Sequence, residues 1–146
     1  MLVRPAEARD HAAIAALSGE LGYPAEPAEI ARRMDAVGGR PDQRVWVAES
    51  RSGVIAWIQA SLTLALEAGP RVEIVGLVVG GSARRTGIGR LLVGAAEDWA
   101  RAEGLHQVVV RSNEKRAESH PFYAALGYEK TKTQVVYRKS LPPKVL

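Results

Sequence analysis

Residues 71–101 read RVEIVGLVVGGSARRTGIGRLLVGAAEDWAR, and three successive textures within them decide the fold. Val72, Ile74, Val75, Leu77, Val78 and Val79 make an apolar, β-branched run, the pattern of a strand buried on both faces. A small, basic loop follows, from Gly80 through Arg84 and Arg85 to Gly87. From Ile88 the spacing turns helical, with Ile88, Leu91, Leu92, Ala95, Trp99 and Ala102 predicted on one face. A strand that feeds a glycine-and-arginine turn and opens a helix makes an anion site. The first helical N–H groups have no internal partner, and the helix dipole adds positive charge there. Gly87 and Gly89 carry no Cβ to keep a ligand from the backbone.

The kind of anion follows from the letters. A dinucleotide-type GxGxxG would begin at Gly87 and Gly89 but meets Leu92 at its third glycine, and GxxxxGK[ST] is absent. Arg84-x-x-Gly87-x-Gly89 does fit the [QR]-x-x-G-x-[GA] signature, and here the chain resembles the GCN5-related N-acetyltransferase (GNAT) superfamily. The resemblance implies that Arg84, Arg85, Thr86, Gly87, Ile88, Gly89 and Arg90 hold the acetyl-CoA pyrophosphate, chiefly through backbone N–H. It further implies that Leu77, Val78 and Val79 offer backbone groups to the pantetheine arm, like an added strand.

A second landmark lies 24 residues beyond Gly89. Asn113 followed by Phe122-Tyr123-Ala124-Ala125-Leu126-Gly127-Tyr128 resembles the N…F-Y-x-x-L-G-[FY] segment of the same superfamily. Residues 111–139 also resemble bacterial members labelled aminoglycoside-acetyltransferase-like. By position, Asn113 would bond the pantetheine or acetyl end of the cofactor, or simply cap a turn. Tyr123 would stand near the thioester sulfur, or be an amphipathic core residue with its hydroxyl at the surface.

Acetyl transfer to an amine needs a neutral nitrogen, an oxyanion donor and a proton for the leaving thiolate. Glu73 stands eleven residues before Arg84 in the match E-I-V, where the histone-acetyltransferase branch carries its base. Simple alternation places Glu73 on the face of Val75, Leu77 and Val79, and burial among them would raise its basicity. The alternatives are an exposed glutamate or one paired with an arginine. The oxyanion donor is expected to be an N–H near Val79, and Tyr123 the proton donor. Without any cysteine a covalent acetyl-cysteine route is impossible, so direct attack in a ternary complex is expected.

Composition bounds the rest. A chain of 146 residues, 47% hydrophobic and 25% charged, suits a single domain, taken as residues 1–146. No run reaches the length of a membrane span and MLVRPAEARD lacks an apolar leader core, so a cytoplasmic protein without membrane partners is expected. Three scattered histidines without HExxH argue against a metal site, and no GxSxG marks a serine hydrolase. Residues 1–70 carry seven basic against nine acidic residues, and residues 71–146 thirteen against seven. The basic half holds the phosphate loop, which leaves the acidic half as the face for a cationic acceptor. Basic residues are not interleaved with aromatics, so nucleic acid is not an expected partner.

The remaining elements follow from their punctuation. Leu2–Arg4 reads as a strand closed by Pro5, Asp10 as the cap of a helix from His11 to about Leu21, and Pro27–Val37 as a second helix. Glu20, Tyr23 and Glu26 at their junction could hold an ammonium group or be plain surface. Two strands around Ser50-Arg51-Ser52-Gly53 form a hairpin. Residues 106–111 read as a strand parallel to the central one, and Ser119 caps a short helix closed by Gly127. Lys130 to Ser140 alternates loosely, as one or two strands through which a homodimer could form.

The expected class is α+β, a GNAT-like fold whose mixed central sheet has about 6–7 strands with about four helices on both faces. The expected function is an acetyl-CoA-dependent N-acetyltransferase acting on a primary amine of a small molecule. Lysine or N-terminal acetylation of a protein, and a non-catalytic acyl-CoA-binding module, are the alternatives.

Overall fold

Five strands hydrogen-bond in chain order: β1 (Leu2–Pro5), β2 (Gln43–Ser50), β3 (Gly53–Ala65), β4 (Gly69–Val79) and β5 (Val108–Val110). The structure, a computed structural model, describes residues 1–20, 22, 24–111 and 119–144. The readings of Tyr23 and Asn113 therefore lie outside the described residues. Backbone packing divides the chain into two units, Met1–Arg111 and Ser112–Leu146, and the sheet belongs to the first.

β1 to β4 run antiparallel, and β4 pairs with β5 in parallel, as a crossover through a helix requires. The β2–β3 turn needs only Arg51 and Ser52, because Ser50 faces Gly53 across the ladder. In β4 the ladder slips by one residue: Ala60 faces Ile74 and Gln59 faces Gly76, leaving Val75 as an unpaired bulge, 48% exposed. A bulge spends one residue and resets the alternation beyond it. Glu73 therefore shares its face with Gly76 and Val78, and Ile74 with Leu77 and Val79. This corrects the uninterrupted alternation that set Glu73 beside Leu77 and Val79.

Three helices cover this sheet: α1 (His11–Glu20), α2 (Pro27–Gly38) and α3 (Ile88–Ala102). α3 lies on the Ile74 face, where Trp99 meets Trp46 edge-on at 6.0 Å between centroids and the Arg44 guanidinium sits 4.9 Å from the Trp99 ring. Its buried stripe is Ile88, Leu92, Val93, Ala96, Trp99 and Ala100. Leu91, at 55% exposure, and Ala102 point outward, so the predicted stripe was rotated by part of a turn. The strong turn-to-turn pair is i, i+4 from Ile88 to Leu92, not i, i+3 to Leu91.

The Glu73 face is covered by α1, whose Leu17 Cδ2 lies 3.0 Å from where a Cβ on Gly80 would sit. Asp10 does not cap α1. A short 3-10 turn, Ala8–Asp10, precedes the helix, and the buried Asp10 carboxylate accepts the Glu7 N–H at 2.7 Å and two Arg4 nitrogens at 2.8 and 2.9 Å. Arg4 also donates to Glu49 at 2.8 Å, so one guanidinium ties β1 to β2 and to the entrance of α1.

In the second unit, α4 (Ser119–Ala125) begins at Ser119 itself. It ends with Gly127 N–H donating to Ala124 O and Tyr128 N–H to Tyr123 O, the paired bonds of a glycine-terminated helix, with Gly127 at φ 91. Residues 129–144 form no strand, so the sheet has five described strands where about six or seven were expected. Val135, Val136 and Tyr137 are 76–91% exposed, so apolar alternation there buries no face. The α+β class and the helices on both faces of the sheet stand as expected.

Candidate cofactor and acceptor site

β4 pairs with β5 only at Val72, Glu73 and Ile74. Val72 N–H donates toward β5, to Gln107 O, while Gly80 N–H donates toward β3, to Ile55 O. Alternation counted back from Gly80 gives Val78 and Gly76 to β3, and turns the N–H and C=O of Leu77 and Val79 to the opposite edge. The bulge at Val75 thus does two things at once. It re-aims side chains, and it sets Leu77 and Val79 along an edge that no described strand covers. Val78, predicted with them, is spent on Trp57 of β3, and its side chain is buried.

The chain then turns into α3. Gly81–Ala83 forms a 3-10 turn, Thr86 Oγ1 donates to Ala83 O, and Arg84 Nε donates to Val79 O at 3.4 Å. Arg85 holds a left-handed φ of 65, unusual for a side-chain-bearing residue, and Gly87 at φ 86 is the residue before the helix. No side chain caps α3 and no acidic residue lies in its first turn. Leu91 N–H closes on Gly87 O, which leaves the N–H groups of Ile88, Gly89 and Arg90 without a partner among the described residues. Arg84, Arg85, Thr86 and Arg90 are exposed around them. Every predicted loop residue is therefore gathered at one helix mouth, directly after the open edge of β4.

Glu73 is largely buried on the opposite side of the bulge, 14% exposed in its side chain, and is ion-paired with Arg111. Arg111 follows β5, two residues beyond Val109, which is the parallel partner of Glu73, so both side chains share a face. The pairing corrects the purely apolar surroundings expected for Glu73, because a guanidinium opposes the desolvation on which that expectation rested. Ser61 faces Glu73 across the ladder, and Gln43 bridges Ser61 at 2.7 Å and Gln59 at 3.1 Å on the same side.

The predicted acceptor residues separate. Glu20, exposed at the end of α1, has Oε2 3.6 Å from the position of a Cβ on Gly80, beside the end of β4. Glu26 precedes α2, with an exposed side chain that makes no cap. In the second unit, Tyr123 is half-buried on α4, edge-on to Phe122 at 5.0 Å and to Tyr128 at 5.8 Å. Arg71, Arg111 and Trp57 were missed. Arg111 was findable by counting two residues on from the strand partner of Glu73. The described residues contain no cluster of three groups able to hold a metal, and no described helix is long and apolar enough to cross a membrane.

An open strand edge leading to an uncapped, arginine-rimmed helix mouth is an arrangement able to hold an extended ligand ending in an anion. Residues 11–128 match the acetyltransferase (GNAT) family, and the chain belongs to it. Among its relatives, aminoglycoside N(6')-acetyltransferase type 1 of Serratia marcescens is 29% identical over 75 residues, 51% of each protein, so the chain spans about half the length of that curated relative. An apo aminoglycoside antibiotic 6'-N-acetyltransferase of Acinetobacter haemolyticus shares the fold at a TM-score of 0.84 and 22% identity, over 97% of this chain and 100% of that one. An aminoglycoside N-acetyltransferase crystallised in complex with CoA gives a TM-score of 0.84 at 19% identity, over 94% of this chain and 93% of its own.

Proposed function

We propose that this protein is an acetyl-CoA-dependent N-acetyltransferase, one catalytic domain that acetylates a primary amine of a small molecule in a ternary complex. The observation that carries the reading is the continuity of two sets of backbone groups that no described strand or helix pairs. Leu77 and Val79 line the open edge of β4, and Ile88, Gly89 and Arg90 present free N–H groups a few residues later. A pantetheine arm needs the first and a diphosphate the second. Family membership and the CoA complex of a protein of the same fold support it.

When bound, acetyl-CoA supplies an activated thioester carbonyl. The chain's own residues do the rest. Backbone N–H groups at Leu77 and Val79 take the developing oxyanion. Glu73, relayed by water, accepts the proton that the attacking amine loses. Tyr123 gives the proton that the departing thiolate needs, its hydroxyl acting as the general acid. The C–N bond forms as the C–S bond breaks, and no cysteine is required.

The test is release of free CoA thiol on mixing enzyme, acetyl-CoA and a panel of amines. Amine-dependent release supports transfer, while binding of CoA with no release for any amine would leave only a binding module.

A further inference from the structure

We infer that the acceptor is an amine that also carries a carboxylate, of the amino-acid class, and that Arg71 is the residue that selects it. The inference rests on the acetyl-transfer reading and names the substrate class of that same site.

Arg71, Glu73 and Arg111 share one face of the sheet. Arg71 and Glu73 stand two residues apart on an unbroken stretch of β4, about 7 Å from each other along the strand. Arg111 pairs with Glu73 from the end of β5. The pair is internally neutral, so the cluster's remaining charge is that of Arg71. Arg71 has no ionic partner among the described residues, and its Nε is buried without an acceptor. Further along the same face, Trp57 Nε1 is a second buried donor without an acceptor. Gln43, Gln59 and Ser61 on that face bond one another, and Glu73 Oε1 is taken up by its ion pair with Arg111.

Buried donors left without acceptors are costly and uncommon. Two of them on the face that carries the base, one belonging to a guanidinium without an ionic partner among the described residues, call for a ligand that brings oxygen and negative charge. A polycation would meet the opposite, because the described charges of this floor, Arg71, Glu73 and Arg111, sum to a positive one. The amine end is set by Glu73, the proposed base, two residues from Arg71 on the same face. An amine presented to Glu73 with its carboxylate on Arg71 fits the short reach of an amino acid.

The experiment compares kcat/KM by thiol release for glutamate, glutamate α-amide, spermidine and kanamycin, in the wild type and in Arg71→Gln and Arg71→Lys. The free acid should exceed its amide by at least tenfold in the wild type. The ratio should fall to near one in Arg71→Gln and be largely restored in Arg71→Lys, which also separates lost charge from lost folding. Preference for spermidine or kanamycin, or an acid-to-amide ratio that Arg71→Gln leaves intact, overturns the inference while acetyl transfer stands. No turnover with any amine overturns both.

Discussion

Arg111 closes an ion pair on Glu73 across the β4–β5 ladder, so the residue proposed as the base carries its own counterion. In Glu73→Gln the acidic limb of the pH–rate profile should flatten, because the group that must be ionised is gone. In Arg111→Gln the limb should persist and move to higher pH, since loss of a neighbouring positive charge makes a carboxylate easier to protonate. An unchanged limb in Glu73→Gln would assign the base role to another group.

Trp57 lies across Gly76. A Cβ at Gly76 would fall 2.9 Å from Trp57 Cη2 and 3.0 Å from Cζ3. Gly76→Ala should therefore cost about 1–3 kcal/mol of stability, as overpacking does. Adding Trp57→Leu should recover part of that loss, a coupling that a double-mutant cycle in urea would measure. Strictly additive losses would mean the two residues do not press on each other.

Gly87 enters α3 at a left-handed φ of 86 with open space where a Cβ would go. Gly87→Ala meets no clash but bears the strain of that φ, about 1–2 kcal/mol. A fall in melting temperature of roughly 2–4 °C per kcal/mol is expected for a chain of this size. Acetyl-CoA should bind more weakly as well, and an unshifted melting curve would count against the strained entry to the helix.

Asp10 and Arg4 anchor the other end of the fold. The Arg4 hydrogen bond holds the buried Asp10 carboxyl below its usual range, against the opposing effect of burial. Its stabilisation is complete above the unfolded carboxyl's pKa of about 3.9 and fades as pH falls through the lower folded value. Asp10→Ala should cost about 3 kcal/mol at neutral pH, the scale of breaking a buried pair. Urea melts should show that gap narrowing below about pH 4.

Tyr123→Phe should lower turnover while leaving acetyl-CoA affinity close to the wild type, because only the proton for the thiolate is removed. Unchanged turnover would take Tyr123 out of the chemistry.

Much of this was legible in the letters, and the exceptions share a cause. The β4–loop–α3 unit was readable because glycine, arginine and helical spacing are local signals. The bulge was not. Val75 is one β-branched residue in a row of them, and only its partner strand reveals that it is skipped. From that one unreadable slip came the wrong neighbours for Glu73 and the wrong membership of the open edge. The α3 stripe failed for a similar reason, because Leu91 and Leu92 look alike in sequence and only the sheet decides which is buried. Residues 130–140 read as strand because alternation is counted whether or not a face exists to receive it. Arg71 carried no local signal at all, since its lack of a partner among the described residues is a property of the assembled face.

The most direct test is calorimetric titration of the wild-type protein with coenzyme A, repeated with a Gly89→Pro variant that obstructs the helix mouth. Saturable one-to-one binding that the variant loses is the predicted result. No heat with the wild type, or equal affinity in both proteins, would contradict the claim that the edge of β4 and the mouth of α3 form one cofactor site.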